Sequence, residues 1–193
     1  MFGQADFKIA DRLTLTGGIT AYSSNAASTS AITAGNLEIG SGVRTVTVHP
    51  ITADGTAGGT VISPYAPGLS IAAIIQTAVS TGSLAKAGAG NLQLGGANTF
   101  GVAGSTGVDL QAGGLILNVA GALGAGNLLV SGSGTALSSS SAITVTNPVV
   151  LANAATSLVL GQFGASTLTL SGPVTWSASS GVVCVNRMMV AGT

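Results

Sequence analysis

The chain has 193 residues, five Lys+Arg against five Asp+Glu, and only 5% charged residues, where an ordinary soluble domain carries about 25%. With no basic stripe, neither a phosphate backbone nor an anionic membrane is an expected partner. Apolar residues make up 46% of the chain, so it also lacks the low hydrophobicity and high charge of a disordered segment.

In chain order, residues 1–30 fit any repeat least well and read as an end segment. Met1-Phe2-Gly3-Gln4 lacks the basic start and apolar run of a signal peptide. Ala-Gly-Asn-Leu then occurs at 34–37, 89–92 and 125–128, with Ala112-Gly113-Gly114-Leu115 as a relative. Each copy opens an alternating apolar stretch such as Leu92-Gln93-Leu94, which is a strand signature. Gly and Asn ahead of a strand are turn chemistry. Residues 50–68, with Pro50, Pro64 and Pro67 among glycines, read as a protruding loop, since Pro blocks a central ladder position. The apolar stretch from Leu69 to Val79 is rich in β-branched residues and favours strand. It falls short of the roughly 18 apolar residues that a transmembrane helix needs.

Two interleaved series of apolar positions run through these segments. One begins at Leu13 and passes Leu37, Val61, Leu84, Val108, Leu128 and Val149 to Leu168, with gaps of 24, 24, 23, 24, 20, 21 and 19 residues. The other passes from Val46 through Leu69, Leu92, Leu115, Leu137 and Leu158 to Val182, with gaps of 23, 23, 23, 22, 21 and 24. A shared period of about 22 residues is the size of one β-solenoid rung. Ile74, Phe100, Leu123 and Ile143 are the best members of a less regular third face. Residues 1–193 are therefore expected to form one all-β domain of stacked parallel rungs. Eight rungs would make a rod about 40 Å long. From Leu110 to Asn186 no residue is charged, which suits a stack in which like charges would meet like at every rung. Ser138-Ser139-Ser140-Ser141 reads as a solvated corner.

Candidates for chemistry are sparse. His49, the sole histidine, precedes Pro50 and reads as a corner residue. A triad of His49, Asp54 and a serine lacks the G-x-S-x-G frame. Asp6, Asp11, Glu38, Asp54 and Asp109 are scattered. Glu38 and Asp109 fall in one series, roughly 14 Å apart along the axis, which is too far for paired glycosidase carboxylates. Cys184 is the only cysteine; it reads as a small buried apolar side chain, with Arg187 the only charge close in sequence. One His and one Cys make no zinc cluster. Gly121 to Gly126 lacks the Lys-Ser/Thr of a phosphate loop and reads as a solenoid turn. Lys86 and Asp109, on neighbouring turns, are placed to pair at the surface. Trp176 reads as a core residue or end plug. No catalytic, cofactor-binding or metal-binding residue is expected.

The segment Gly82 to Phe100 resembles the autotransporter-associated β-strand repeat, also called the passenger-associated transport repeat. Lys86, Gly88, Gly90, Leu92, Leu94, Asn98 and Phe100 fall on the family pattern. Gln111 to Leu115 and Ala122 to Gly126 look like its downstream stretches, and Gly40 to Val48 resembles a flank that precedes it. The resemblance implies a right-handed parallel β-helix in the exported part of a surface protein, without catalytic residues. It places the chain outside the cell or on the outer-membrane surface of a Gram-negative-type bacterium. The 187–193 segment does not resemble an outer-membrane barrel. The expected role is a structural stalk or scaffold, with end-to-end self-association into a filament as its specific form. The alternative is an adhesin-type module that grips glycan or host protein through the 50–68 loop or a flat Ser/Thr face.

Overall fold

The computed structural model describes residues 7–27, 29–79, 81–152, 157–161, 166–176, 181–184 and 188–190. Asp6, Arg187 and the side chain of Cys184 lie outside the described residues. The described chain is a β-solenoid whose strands are taken coil by coil. The first coil holds β1 (Phe7–Thr14) and β2 (Ile19–Ser23). The second holds β3 (Ser30–Glu38) and β4 (Val43–Thr52), followed by the short β5 (Val61–Ser63). The third holds β6 (Pro67–Ile71), β7 (Ile74–Gln76) and β8 (Ser83–Ala87). Then come β9 (Asn91–Leu94) with β10 (Thr106–Leu110), and β11 (Gly114–Leu117) with β12 (Asn127–Val130). The next coils hold β13 (Thr135–Ser139), β14 (Ile143–Val145) and β15 (Val149–Leu151), then β16 (Ser157–Leu160), β17 (Leu168–Leu170) and β18 (Val174–Trp176). β19 (Gly181–Cys184) and β20 (Met188–Val190) are the last. The one helical turn among the described residues is a 3-10 turn at Ala120–Leu123.

The strands stack into three sheets. The first runs β1-β3-β6-β9-β11-β13-β16-β19, with β7 also pairing β3. The second runs β18-β15-β12-β10-β8-β4-β2, and the third is β14-β17-β20. Every pairing is parallel except the β4–β5 hairpin. Parallel pairing between coils lets each backbone N–H and C=O find its partner one layer away, so the fold needs little side-chain bulk to satisfy its polar backbone.

The core is a set of ladders of like residues. In the first sheet Leu69, Leu92, Leu115 and Leu137 lie in register, and each is at most 4% exposed. In the second, Leu84, Val108, Leu128 and Val149 do the same. Phe100, Leu123, Val145 and Leu170 fill the third side. Partnered residues in the regular coils are separated by 20 to 26 positions, a wider range than a fixed period of 22.

The register also corrects the two series at their ends. Leu13 and Leu37 pair in the first sheet, Leu168 pairs Ile143 in the third, and Val46 belongs to the second, opposite Lys86. Val61 is half-exposed on the hairpin, and Leu158 sits opposite Thr135, not Leu137. Alternation marks a strand but does not say which of the three sheets it joins, so the two series cross between faces. The same holds for the Ala-Gly-Asn-Leu copies. Ala89–Leu92 lies at the start of β9 in the first sheet, whereas Ala125–Leu128 lies at the start of β12 in the second. The relative at 112–115 is the copy that stacks directly on 89–92, with Leu115 opposite Leu92.

Between β3 and β6 the partners are 39 positions apart, and between β4 and β8 they are 40 apart. The extra length is the β4–β5 hairpin and the turn that follows it. Pro50 lies within β4 and Pro67 within β6, so the departure from the solenoid path is narrower than residues 50–68. Ser138 and Ser139 are buried in β13, and only Ser140 and Ser141 are exposed at the corner.

Candidate functional site

Two features stand out from the regular stack: a set of buried polar side chains that tie coil to coil, and an aromatic cluster beside the hairpin. Lys86 is the largest of the first set. It occupies an inward column whose neighbours are Val46 and Leu110, and it is 0% exposed. Its Nζ donates to the carbonyls of Ala87 at 2.9 Å, Gly88 at 2.7 Å and, one coil on, Ala112 at 2.9 Å. Three acceptors match the three N–H groups of an ammonium, but burial opposes the charge and pushes the Lys86 pKa down to about 7. The expected surface pair with Asp109 is not formed. Asp109 faces the opposite way, opposite Ala85, and accepts from Gln111 Nε2 at 2.8 Å and from Ser131 Oγ. Adjacent strand positions point to opposite faces, and Asp109 is opposite the residue next to Lys86.

The corner that holds Lys86 is closed by glycine. Gly113, at φ +67°, passes so near the previous coil that a Cβ there would lie 2.4 Å from the Gly90 carbonyl oxygen and 2.6 Å from that of Gly88. Asn98 performs a similar service on the third side. Its Oδ1 accepts from Ile75 N at 2.7 Å, and its Nδ2 donates to Ala122 O at 2.6 Å, so one amide spans three coils. Asn147 Nδ2 donates to the carbonyls of Gly124 and Gly126 at 3.0 and 2.7 Å. Glu38, 6% exposed, accepts from Gly40 N and from Ala78 N of the next coil at 3.2 and 2.8 Å. Glu38 and Asp109 stand in different sheets, the first and the second, so the single-series placement of these two carboxylates was wrong.

His49 lies inside β4, not at a corner. Its ring stacks on Tyr22 of β2 with centroids 4.3 Å apart and planes 4° from parallel. Tyr22 remains 48% exposed. Thr20 and Thr47, a register pair two residues back along the same strands, share the outward face. Asp54 sits at the hairpin tip and accepts from Thr56 N and Thr56 Oγ1 at 3.1 and 3.0 Å. Those bonds, the backbone N–H first, hold its carboxyl below the ordinary aspartate range. Asp54 and His49 are thus committed to different partners, and the imagined triad is not assembled. Trp176 is in the Leu151, Val130 and Leu110 column, yet it is 56% exposed because β18 is the outer strand of the second sheet among the described residues.

A shallow groove of about 450 Å³ runs along the third side, lined by Ala and Gly of the 3-10 turn together with Thr144, Thr146 and Asn147. The turn itself buries Ala122 and Leu123, so the glycines at 121, 124 and 126 serve a solenoid corner. Among the described residues no three of His, Cys, Asp and Glu gather as metal ligands. No helix among them is long and apolar enough to cross a membrane.

The motif at 86–100 supplied Lys86 and Asn98, but their buried roles had no signal in single-sequence patterning. Tyr22 was missed outright, because an outward aromatic on a short strand looks like any alternation. Neither a scan of family models nor searches of curated proteins and of solved structures returned a match to this chain.

Proposed function

We propose that this protein is a structural β-solenoid of a secreted or surface-displayed bacterial protein, acting as a stalk or scaffold. One observation carries the reading: the largest buried polar side chains of the stack are spent on backbone groups of adjacent coils. Lys86, Glu38, Asn98 and Asn147 all bind main-chain atoms of a neighbouring coil. Chemistry would require such groups to converge on a cavity and to keep hydrogen-bonding capacity for a ligand. The likeness of Gly82 to Phe100 to the passenger repeat supports a location outside the cell. Among the described residues β2 and β18 are the outer strands of the second sheet, which supports end-to-end stacking, because a strand edge templates another strand. Negative-stain electron microscopy of the concentrated protein tests this. Straight rods and end-to-end strings of them are expected; dispersed particles at every concentration would remove the filament form, and a globular outline would remove the stalk.

A second reading, an adhesin-type binding module, is favoured by the hairpin. It is the one large departure from regular coils among the described residues, and it displays Val61, Ile62 and Tyr65, each about half exposed or more. Insertions carried on a rigid scaffold are where binding residues concentrate.

A further inference from the structure

The chain has two tyrosines and one histidine, and all three lie around the coil that carries the hairpin. Tyr22 and His49 form the stacked pair. Gly90 lies against the His49 carbonyl, where an added Cβ would be 2.2 Å away, and the adjacent Asn91 donates to the carbonyls of Pro64 and Ala66. Those bonds hold the backbone on either side of Tyr65 at the corner that the His49 strand reaches, and Tyr65 itself is 59% exposed. The hairpin tip reaches back to the other end of the cluster: a Cβ on Gly55 would lie 3.2 Å from Ser24 Cβ, two residues beyond Tyr22.

This cluster has a definite chemical character. The His49 ring backs one face of Tyr22 and fixes its orientation, so little conformational freedom remains to be lost on binding. Thr20 and Thr47 place hydroxyls beside it. Charge is sparse and already engaged: the Asp54 carboxylate at the hairpin tip accepts from Thr56 N and Thr56 Oγ1, and Arg44 donates through Nε to the Leu15 carbonyl at 3.0 Å. A rigid aromatic face, a second tyrosine and flanking hydroxyls without charge are complementary to a ligand that has an apolar C–H face, a rim of hydroxyls and no charge. A pyranose ring has that chemistry, because its polarised C–H groups meet the negative face of an aromatic ring.

We propose that Tyr22, backed by His49 and accompanied by Tyr65, is a binding platform for a neutral oligosaccharide. The proposal rests on the binding-module reading and names its residues and ligand class.

The test uses the full chain on an array of neutral hexose and N-acetylhexosamine oligosaccharides, followed by titration calorimetry of the best binder. Tyr22→Ala should weaken that binding about tenfold, as loss of a stacking face does, whereas Tyr22→Phe should weaken it less than about threefold. Tyr65→Ala should also weaken it, and Trp176→Ala should leave it unchanged. Raising the salt from low to physiological should have no effect, because no charge pair is involved. Circular dichroism of the variants confirms that the half-exposed positions tolerate substitution. Binding that persists unaltered in Tyr22→Ala and Tyr65→Ala overturns the platform and leaves the binding-module reading standing. A wild-type chain that binds nothing on the array overturns the platform and leaves the binding-module reading only a protein ligand.

Discussion

Lys86→Met is the most informative single substitution. The folded-state pKa of Lys86, about 7, lies below its ordinary value of 10.5. Below pH 7 both folded and unfolded chains hold the proton, and the full cost of burying the ammonium is present. Between pH 7 and 10.5 the unfolded chain keeps a proton that the folded chain has released, so stability rises with pH; above that window it levels off. At 1.36 kcal/mol per pKa unit the rise is of order 5 kcal/mol at most. For a domain of this size that corresponds to a midpoint shift of roughly 10–20 °C. Methionine fills similar volume without charge but leaves the Ala87, Gly88 and Ala112 carbonyls without their Nζ donor, at about 1 kcal/mol each. The two effects nearly offset at pH 6, where the variant should lie within a few kcal/mol of wild type, and by pH 10 it should be clearly the less stable. Thermal unfolding followed by circular dichroism at pH 6, 8 and 10, at constant ionic strength, reads this directly. Two parallel stability profiles for wild type and Lys86→Met would refute the reasoning, since every other titrating group is common to both.

Three further outcomes follow from the same geometry. Asn98→Leu strands the Ile75 N–H and the Ala122 carbonyl inside the stack and should cost about 2–4 kcal/mol in urea unfolding. Gly113→Ala combines a positive φ with a backbone clash and should prevent folding or cost several kcal/mol, whereas Gly58→Ala, with nothing within 4 Å of the added Cβ, should change the midpoint little. The Asp54 carboxyl carbon should titrate by NMR below the ordinary aspartate range, and Thr56→Val should move that midpoint upward, because one of the bonds that favours the carboxylate is gone.

The strand content and the coil period were legible because alternation and recurrence are properties of the chain itself. Leu92, Leu115 and Leu137 could be chained correctly, since the coils that carry them differ by only one residue in length. The assignment of Leu13, Val46 and Leu168 failed for the opposite reason: three faces share one alternation pattern, and only the lengths of the turns between them decide which face comes next. The role of Lys86 was illegible in a different way. A lone lysine in a neutral strand reads as a surface residue, and its burial depends on three carbonyls that converge only after the Gly88 and Gly113 corners have formed. Tyr22 and His49 are 27 positions apart, and nothing local in the sequence links one ring to the other.

The hairpin between β4 and β6 lengthens one circuit of the chain well beyond the others, while the strands on either side keep their parallel pairing. Loop closure cost grows only slowly with added residues, so this corner behaves as a socket: the shaft tolerates a change of cargo there without a change of shaft. A peptide epitope or a small folded domain exchanged for residues 54–60 would be carried sideways from the rod at a fixed height, and a shaft of this kind could evolve new contacts by replacing the insert alone.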